Sequence, residues 1–249
     1  MMLQFYSRAY LTYLFLPYLR RSTATNGPRV ISVHAPGHEG ALDLEDLDLK
    51  ERHSSVIDWI FPSWLRRLTG LDPGFVKARV NHSVAMTTFF FEKLVESERD
   101  GSADVQLSTS AEHRTPDKNG DVSFLHVFPG LVKTKEFEKG DFPAILKFFF
   151  MKIMLPLLTP FTVKVEKVGE SIALMAEDSK LRFAKTAELG VAKDVEIGSD
   201  GVVGSGSYCL NWNGKRLIND KKMKTLREKG AVDVVWDHCI GLFNGIGVR

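Results

Sequence analysis

Two short β-branched runs, RVISVHA at 29–35 and VSFLHVF at 122–128, constrain the fold more than any other feature of the chain. The first is bounded by Gly27-Pro28 and Pro36-Gly37 and the second ends in Pro129-Gly130, as expected of buried parallel strands. Parallel strands need crossovers, and helical patterns stand between and around them. Residues 4–20 place Phe5, Ala9, Leu11, Leu14 and Phe15 at helical intervals, and feeding the strand at 29–35 through a short turn makes half of a βαβ unit. Residues 54–69 predict a broken amphipathic helix and 82–97 (HSVAMTTFFFEKLVES) a long one with phenylalanines on its buried side. A helix near 166–178, a Gly/Ser-rich turn at 198–207, a strand SYCLNWN and a closing helical segment begun by the basic residues 215–228 complete the pattern. LDLEDLDLK at 42–50 alternates with period two, predicting a short extension whose aspartates face outward and bind no metal.

Composition sets the broad class. With 44% apolar and 26% charged residues over 249 positions, the chain is expected to form a single globular domain, residues 1–249. Residues 98–121 are the exception, a polar surface insertion too poor in apolar side chains to order itself. A net charge of +2 gathers neither nucleic acid nor an acidic membrane. Cys209 and Cys239 are too few for a disulfide framework, no Cys/His cluster has zinc spacing, and a reducing, cytoplasmic compartment is expected. The uncharged stretch Ala9–Leu19 is about half a membrane span, and the lid-like apolar segment at 142–161 is broken by Lys152, Pro156 and Pro160. No transmembrane segment is expected.

The order of these pieces, and several local texts, resemble the second half of the short-chain dehydrogenase/reductases. QFYSRAYLTYLFLPYL resembles that family's central helix, RVISVHAPG its serine-bearing strand, and FPGLVKT (Phe128 to Thr134) its Pro-Gly-x-Val-x-Thr segment against the nicotinamide. The closing GSGSYCLNWNG and AVDVVWDH resemble a branch common in filamentous fungi and linked to secondary metabolism. The resemblance implies a Rossmann-like three-layer α/β/α fold and an oxidoreductase using NADP or NAD on a small-molecule carbonyl or alcohol. It also implies that Pro129, Gly130, Val132 and Thr134 are cofactor contacts.

Set against that family, the fold is expected to be incomplete and N-terminally truncated: the first strands and the TGxxxGxG turn are absent. Gly201-Val-Val-Gly204-Ser-Gly206 runs into a strand, and Gly241-Leu-Phe-Asn-Gly245-Ile-Gly247 lacks a following helix, so neither offers helix-terminal amides to a phosphate. The resemblance puts Gln4, Ala35, Val80 and Val84 at the family's Asn, Ser, Tyr and Lys positions, with Ser83 in its usual place. No tyrosine lies between Tyr18 and Tyr208, so no register slip restores the Tyr-Lys pair. The candidate proton donors near the site are then His34 and His82, the groups that titrate near neutral pH. Tyr6, Tyr10 and Tyr13 form a packing stripe, and His113 and His238 have no partner readable from sequence. The alternative expectation is a non-catalytic relative, needing no cofactor, that serves as an interaction or scaffold module, as a homo-oligomer or docked on a full-length homologue.

Overall fold

The two β-branched runs lie side by side. The structure, a computed structural model, describes residues 2–50, 73–100, 122–132, 152, 155–184 and 193–246. In chain order the elements are helix α1 (Ser7–Leu19), strand β1 (Arg29–Val33), helix α2 (Pro73–Asp100), strands β2 (Ser123–Phe128) and β3 (Leu131–Val132) and a single helical turn α3 (Leu155–Leu158). Strand β4 (Thr162–Val163), helix α4 (Val165–Glu177), strand β5 (Ser207–Asn211) and helices α5 (Asp220–Glu228) and α6 (Ala231–Ile246) follow. The expected segments at 54–69, most of 98–121 and most of 142–161 lie outside the described residues.

Strands β1, β2 and β5 form a parallel sheet in that order, with Arg29 opposite Ser123 and Phe124 opposite Ser207. A smaller parallel pair joins β3 to β4. Because side chains alternate along a strand, β2 feeds two cores. Phe124 points into a cluster with Phe89, Phe90, Phe91 and Leu94 of α2, Met223 of α5 and Phe243 of α6. Leu125 and Val127 point the other way, joining Tyr208 and Leu210 of β5 with Met175 of α4 and Leu181. Helices on both faces of a parallel sheet make this a Rossmann-like α/β/α fold, as the sequence predicts.

The first helix forms where expected, but Leu11 and Phe15 of its apolar set stay exposed. Ala9, Tyr13 and Leu16 are its buried face, and Tyr10 and Tyr13 meet the Phe243 ring at 5.0 and 5.6 Å. Tyr6 does more than pack. Its hydroxyl donates to Asp48 at 2.5 Å and lies 2.9 Å from His238 Nε2, which is itself 3.4 Å from Asp48. His238 therefore has partners distant in sequence, Tyr6 being 232 residues away, that no local pattern exposes. Burial and the Asp48 carboxylate push the Tyr6 hydroxyl far above its ordinary pKa, so the phenol stays a donor.

Residues 42–50 are not a strand. Asp43 Oδ1 accepts the Glu45 and Asp46 amides at 3.0 and 3.4 Å, and Asp46 Oδ1 accepts the Lys50 amide at 2.9 Å. These side-chain-capped turns compete with a pleat and win, because aspartate satisfies its own nearby backbone. Leu42, Leu47 and Leu49 are buried by the turns, and Asp48 points in toward Tyr6 rather than outward.

A part-buried ion pair fastens the closing segment. Arg227 of α5 donates through Nε and Nη2 to the two oxygens of Glu92 on α2, at 2.9 and 2.7 Å, and the Ser199 hydroxyl donates to the same carboxylate at 2.7 Å. The helices begin at Asp220, where Asn219 caps the amide of Lys222, rather than at residue 215.

Phe90 stacks on Trp236 at 5.5 Å and meets Phe5 and Phe243 edge-on at 6.2 Å each, so three helices share one ring. Phe90→Ala is expected to lower stability by about 3–5 kcal/mol in urea denaturation. A loss below about 1 kcal/mol would show that the cluster collapses around the void.

Candidate functional site

In an open parallel α/β sheet the strands' carboxyl ends are where a ligand meets loops rather than helices. Here that edge is made by the residues after β1, β2 and β5, with α2 beneath it. His34 follows β1 and stays on the ladder, its amide donating to the Val127 carbonyl at 2.9 Å. Ser83 of α2 donates to its own turn, to the Val80 carbonyl at 3.0 Å, and lies 3.3 Å from His34 Nε2. Ser83 Oγ and His34 Nε2 exchange donor and acceptor roles with the imidazole tautomer, and His34 Nδ1 is buried without a hydrogen-bond partner among the described residues.

Burial, and secondarily the Arg8 guanidinium, lower the His34 pKa to about 4. At neutral pH it is therefore an uncharged imidazole that can take a hydrogen bond but is a poor source of a proton. His126, on β2, sits 5.9 Å away ring to ring, with Nδ1 3.0 Å from the Thr88 hydroxyl. It is fully buried, and its pKa falls well below the ordinary value, first by burial and then by His34 and Arg8. Sequence reasoning passed over His126, although its place in an apolar run between Leu125 and Val127 marks it as a buried polar group.

His82 does not join this pair. It is 3% exposed, and its Nε2 accepts the Asp43 amide at 3.1 Å, pinning the turns at 42–50 to α2. Val84 is fully buried, and Val80 offers only its carbonyl to Ser83. Neither valine position holds a group that exchanges a proton.

The Pro129-Gly130 turn lies across the same edge. Gly130 adopts φ +77°, and a side chain there would meet Trp212 and Val163 at 2.9 and 3.1 Å. The glycine is thus needed by the protein's own Trp212, whose ring also holds Lys167 at 5.0 Å. Val132 lies in β3, paired with Val163, and Thr134 lies outside the described residues. His38 packs on Phe128 at 5.0 Å beside them.

The glycine-rich stretches are also placed. Gly201, Gly204 and Gly206 have positive φ in the turns that lead to β5, and Gly241 and Gly245 lie within α6. Among the described residues neither glycine stretch opens a helix at the carboxyl edge, where helix-terminal amides would meet the pyrophosphate of a dinucleotide. Among the described residues no cluster of three His, Cys, Asp or Glu is placed to hold a metal, and both cysteines are free and buried. No helix among them is long and apolar enough to cross a membrane.

No protein-family model matches the chain. Its sequence is similar to oxidoreductases of filamentous fungi. It is 28% identical over 249 residues to an oxidoreductase of Emericella nidulans and 26% identical over 250 residues to oxidoreductase andH of Emericella variicolor, matching 97% and 98% of this chain. It is 23% identical over 242 residues to notO of an Aspergillus strain, an oxidoreductase containing an NmrA-like family domain. The chain spans 60% of the length of each Emericella protein and 55% of notO.

The depressed His34 pKa has a stability consequence. Unfolded, the imidazole takes its proton near pH 6.5, and folded only near 4, so the unfolded chain binds more protons in between. The stability held by neutral His34 is complete above pH 6.5 and falls as the pH drops toward 4, by about 3 kcal/mol. Urea midpoints of wild type and His34→Gln at pH 7 and pH 4.5 test this, with the variant losing less on acidification. Equal losses would place His34 in an environment less buried than this one.

Proposed function

We propose that the chain is an oxidoreductase of the short-chain dehydrogenase/reductase type, acting on a small carbonyl or alcohol in secondary metabolism with NADP or NAD as its cofactor. The observation that carries this reading is the similarity to fungal oxidoreductases over nearly the whole chain, combined with a parallel sheet whose carboxyl edge bears the polar pair His34–Ser83. His34 and Ser83 would hold the substrate oxygen's side of the site, and Pro129, Gly130, Val132 and Thr134 the ring side of the cofactor. The chemistry a nicotinamide supplies when bound is hydride transfer. What the chain contributes is orientation by a neutral imidazole and a fixed hydroxyl.

The packing of Val84 and the backbone role of Val80 favour a second reading, a non-catalytic relative used as an interaction module. The two readings separate in one titration. Purified chain mixed with NADPH, followed by nicotinamide fluorescence, is expected to bind with a dissociation constant below about 1 mM, the weak end of ordinary enzyme affinities. Where turnover of a carbonyl is measured, His34→Ala is expected to lower kcat/KM about 100-fold. Absence of binding at that concentration leaves the interaction module, and an unchanged His34→Ala rate removes His34 from the site.

A further inference from the structure

After His34 the chain runs Ala35-Pro36-Gly37-His38-Glu39-Gly40, with two glycines and few apolar side chains to hold it. Burial in this loop is inverted: His38 is exposed, while Glu39 is only 5% exposed. A carboxylate taken out of water is strongly disfavoured unless other donors replace the water. Two backbone amides do so here. Gly37 donates to Glu39 Oε1 and Asn219 to Oε2, each at 3.0 Å. One oxygen thus closes the loop's own turn, and the other reaches a residue 180 positions on.

That distant residue is itself fixed. Asn219 caps α5 by accepting the Lys222 amide at 3.2 Å, and Leu217 just before it donates to the Cys209 carbonyl of β5 at 2.8 Å. A carboxylate beside the first turn of a helix also meets the positive end of its dipole. Leu217 packs against the loop, since a side chain at Gly37, where φ is +86°, would meet it at 2.7 Å. The other end of the loop is held by α2. A side chain at Gly40 would collide with Asn81, the Asp43 amide donates to His82 Nε2 at 3.1 Å, and Ser83 meets His34. Between these ends the loop passes the last residue of β2, where His38 packs on Phe128 at 5.0 Å.

We propose that Glu39 is a positioning residue of the proposed site: its carboxylate ties the loop that starts at His34 to the start of α5, holding His34 on Ser83 and His38 on Phe128 before a substrate arrives. A substrate then has neither imidazole to gather, which lowers the cost of ordering the site. Glutamate suits the task by reach and by its two acceptors. Glutamine has one acceptor oxygen, and its amide group would face one of the two N–H donors. Aspartate keeps the charge but is one methylene shorter. The catalytic part of this role rests on the oxidoreductase reading, whereas the tie itself is read without turnover.

The intact chain, wild type and Glu39→Gln, is compared by NMR. Asn219 is an exposed residue whose amide has the Glu39 carboxylate as acceptor, so its hydrogen exchange is expected to be about 100-fold slower than in an unfolded chain. Glu39→Gln is expected to remove most of that protection, and Glu39→Asp to do the same. The His34 imidazole, which faces Ser83, His126 and Arg8, titrates at about 4 while the loop is tied. In Glu39→Gln its midpoint is expected to rise toward the ordinary imidazole value as water reaches the ring, a change that a loss of global stability alone would not produce. Where NADPH-dependent turnover is measured, kcat is expected to fall about 10-fold while the NADPH dissociation constant stays within about 2-fold of wild type. An Asn219 amide that exchanges freely in the wild type overturns the proposal without any variant. So does a folded Glu39→Gln chain in which the His34 midpoint and kcat are both unmoved. Absence of NADPH binding by the wild type sinks the oxidoreductase reading and leaves the tie to be judged on exchange and titration.

Discussion

The burial of β2 on both faces is the constraint from which the rest follows. Five of its six residues are buried, and alternate side chains enter different cores. A strand in this position cannot be solvated on either side, so helices must cover both. Helix α2 supplies one cover with its Phe-rich face, and α4 with the Leu181 turn supplies the other. The neighbours β1 and β5 run parallel to it, with Arg29 opposite Ser123 and Phe124 opposite Ser207.

That same burial creates the chemistry at the carboxyl edge. His126 sits among apolar neighbours on β2, so its nitrogen needs a partner from α2 and finds Thr88. His34, one strand over, finds Ser83 in the same way. Hydroxyl residues inside a helix normally bond back to their own turn, and Ser83, Thr87 and Thr88 all do so, to Val80, Ser83 and Val84. Two of the three also serve an imidazole. The polar stripe inside an otherwise apolar helix is therefore explained by the strands it covers, and its cost is a site whose histidines are held neutral.

Much of this was legible in the sequence. The β-branched runs with Gly-Pro and Pro-Gly punctuation became β1 and β2, and the helical spacings around Ala9, Phe89 and Ile172 became α1, α2 and α4. What failed to show were features decided by distance. Period two at 42–50 looked like a strand because alternation records burial and not hydrogen bonding, and the aspartates settled the backbone as turns. His238 looked alone because Tyr6 and Asp48 reach it only when α1 and the turns fold back over α6. His82 and His34, close in the expected site, part company because one amide, that of Asp43, arrives to occupy His82.

The Pro-Gly segment shows where resemblance and physics diverge. A glycine before a cofactor ring is usually accounted for by the ring, but Gly130 has a sufficient local cause in Trp212 and Val163, which leave no room for a side chain. Its presence therefore weighs little for a nicotinamide, and the fold and the polar pair weigh more. The same reasoning applies to the family's proton-transfer positions. Val84 is fully buried on α2, so a charged side chain placed there would have to be desolvated and paired. On the proposed reading, what the carboxyl edge offers a substrate oxygen is the neutral His34 and its serine, since Val80 and Val84 stand where the tyrosine and lysine would be.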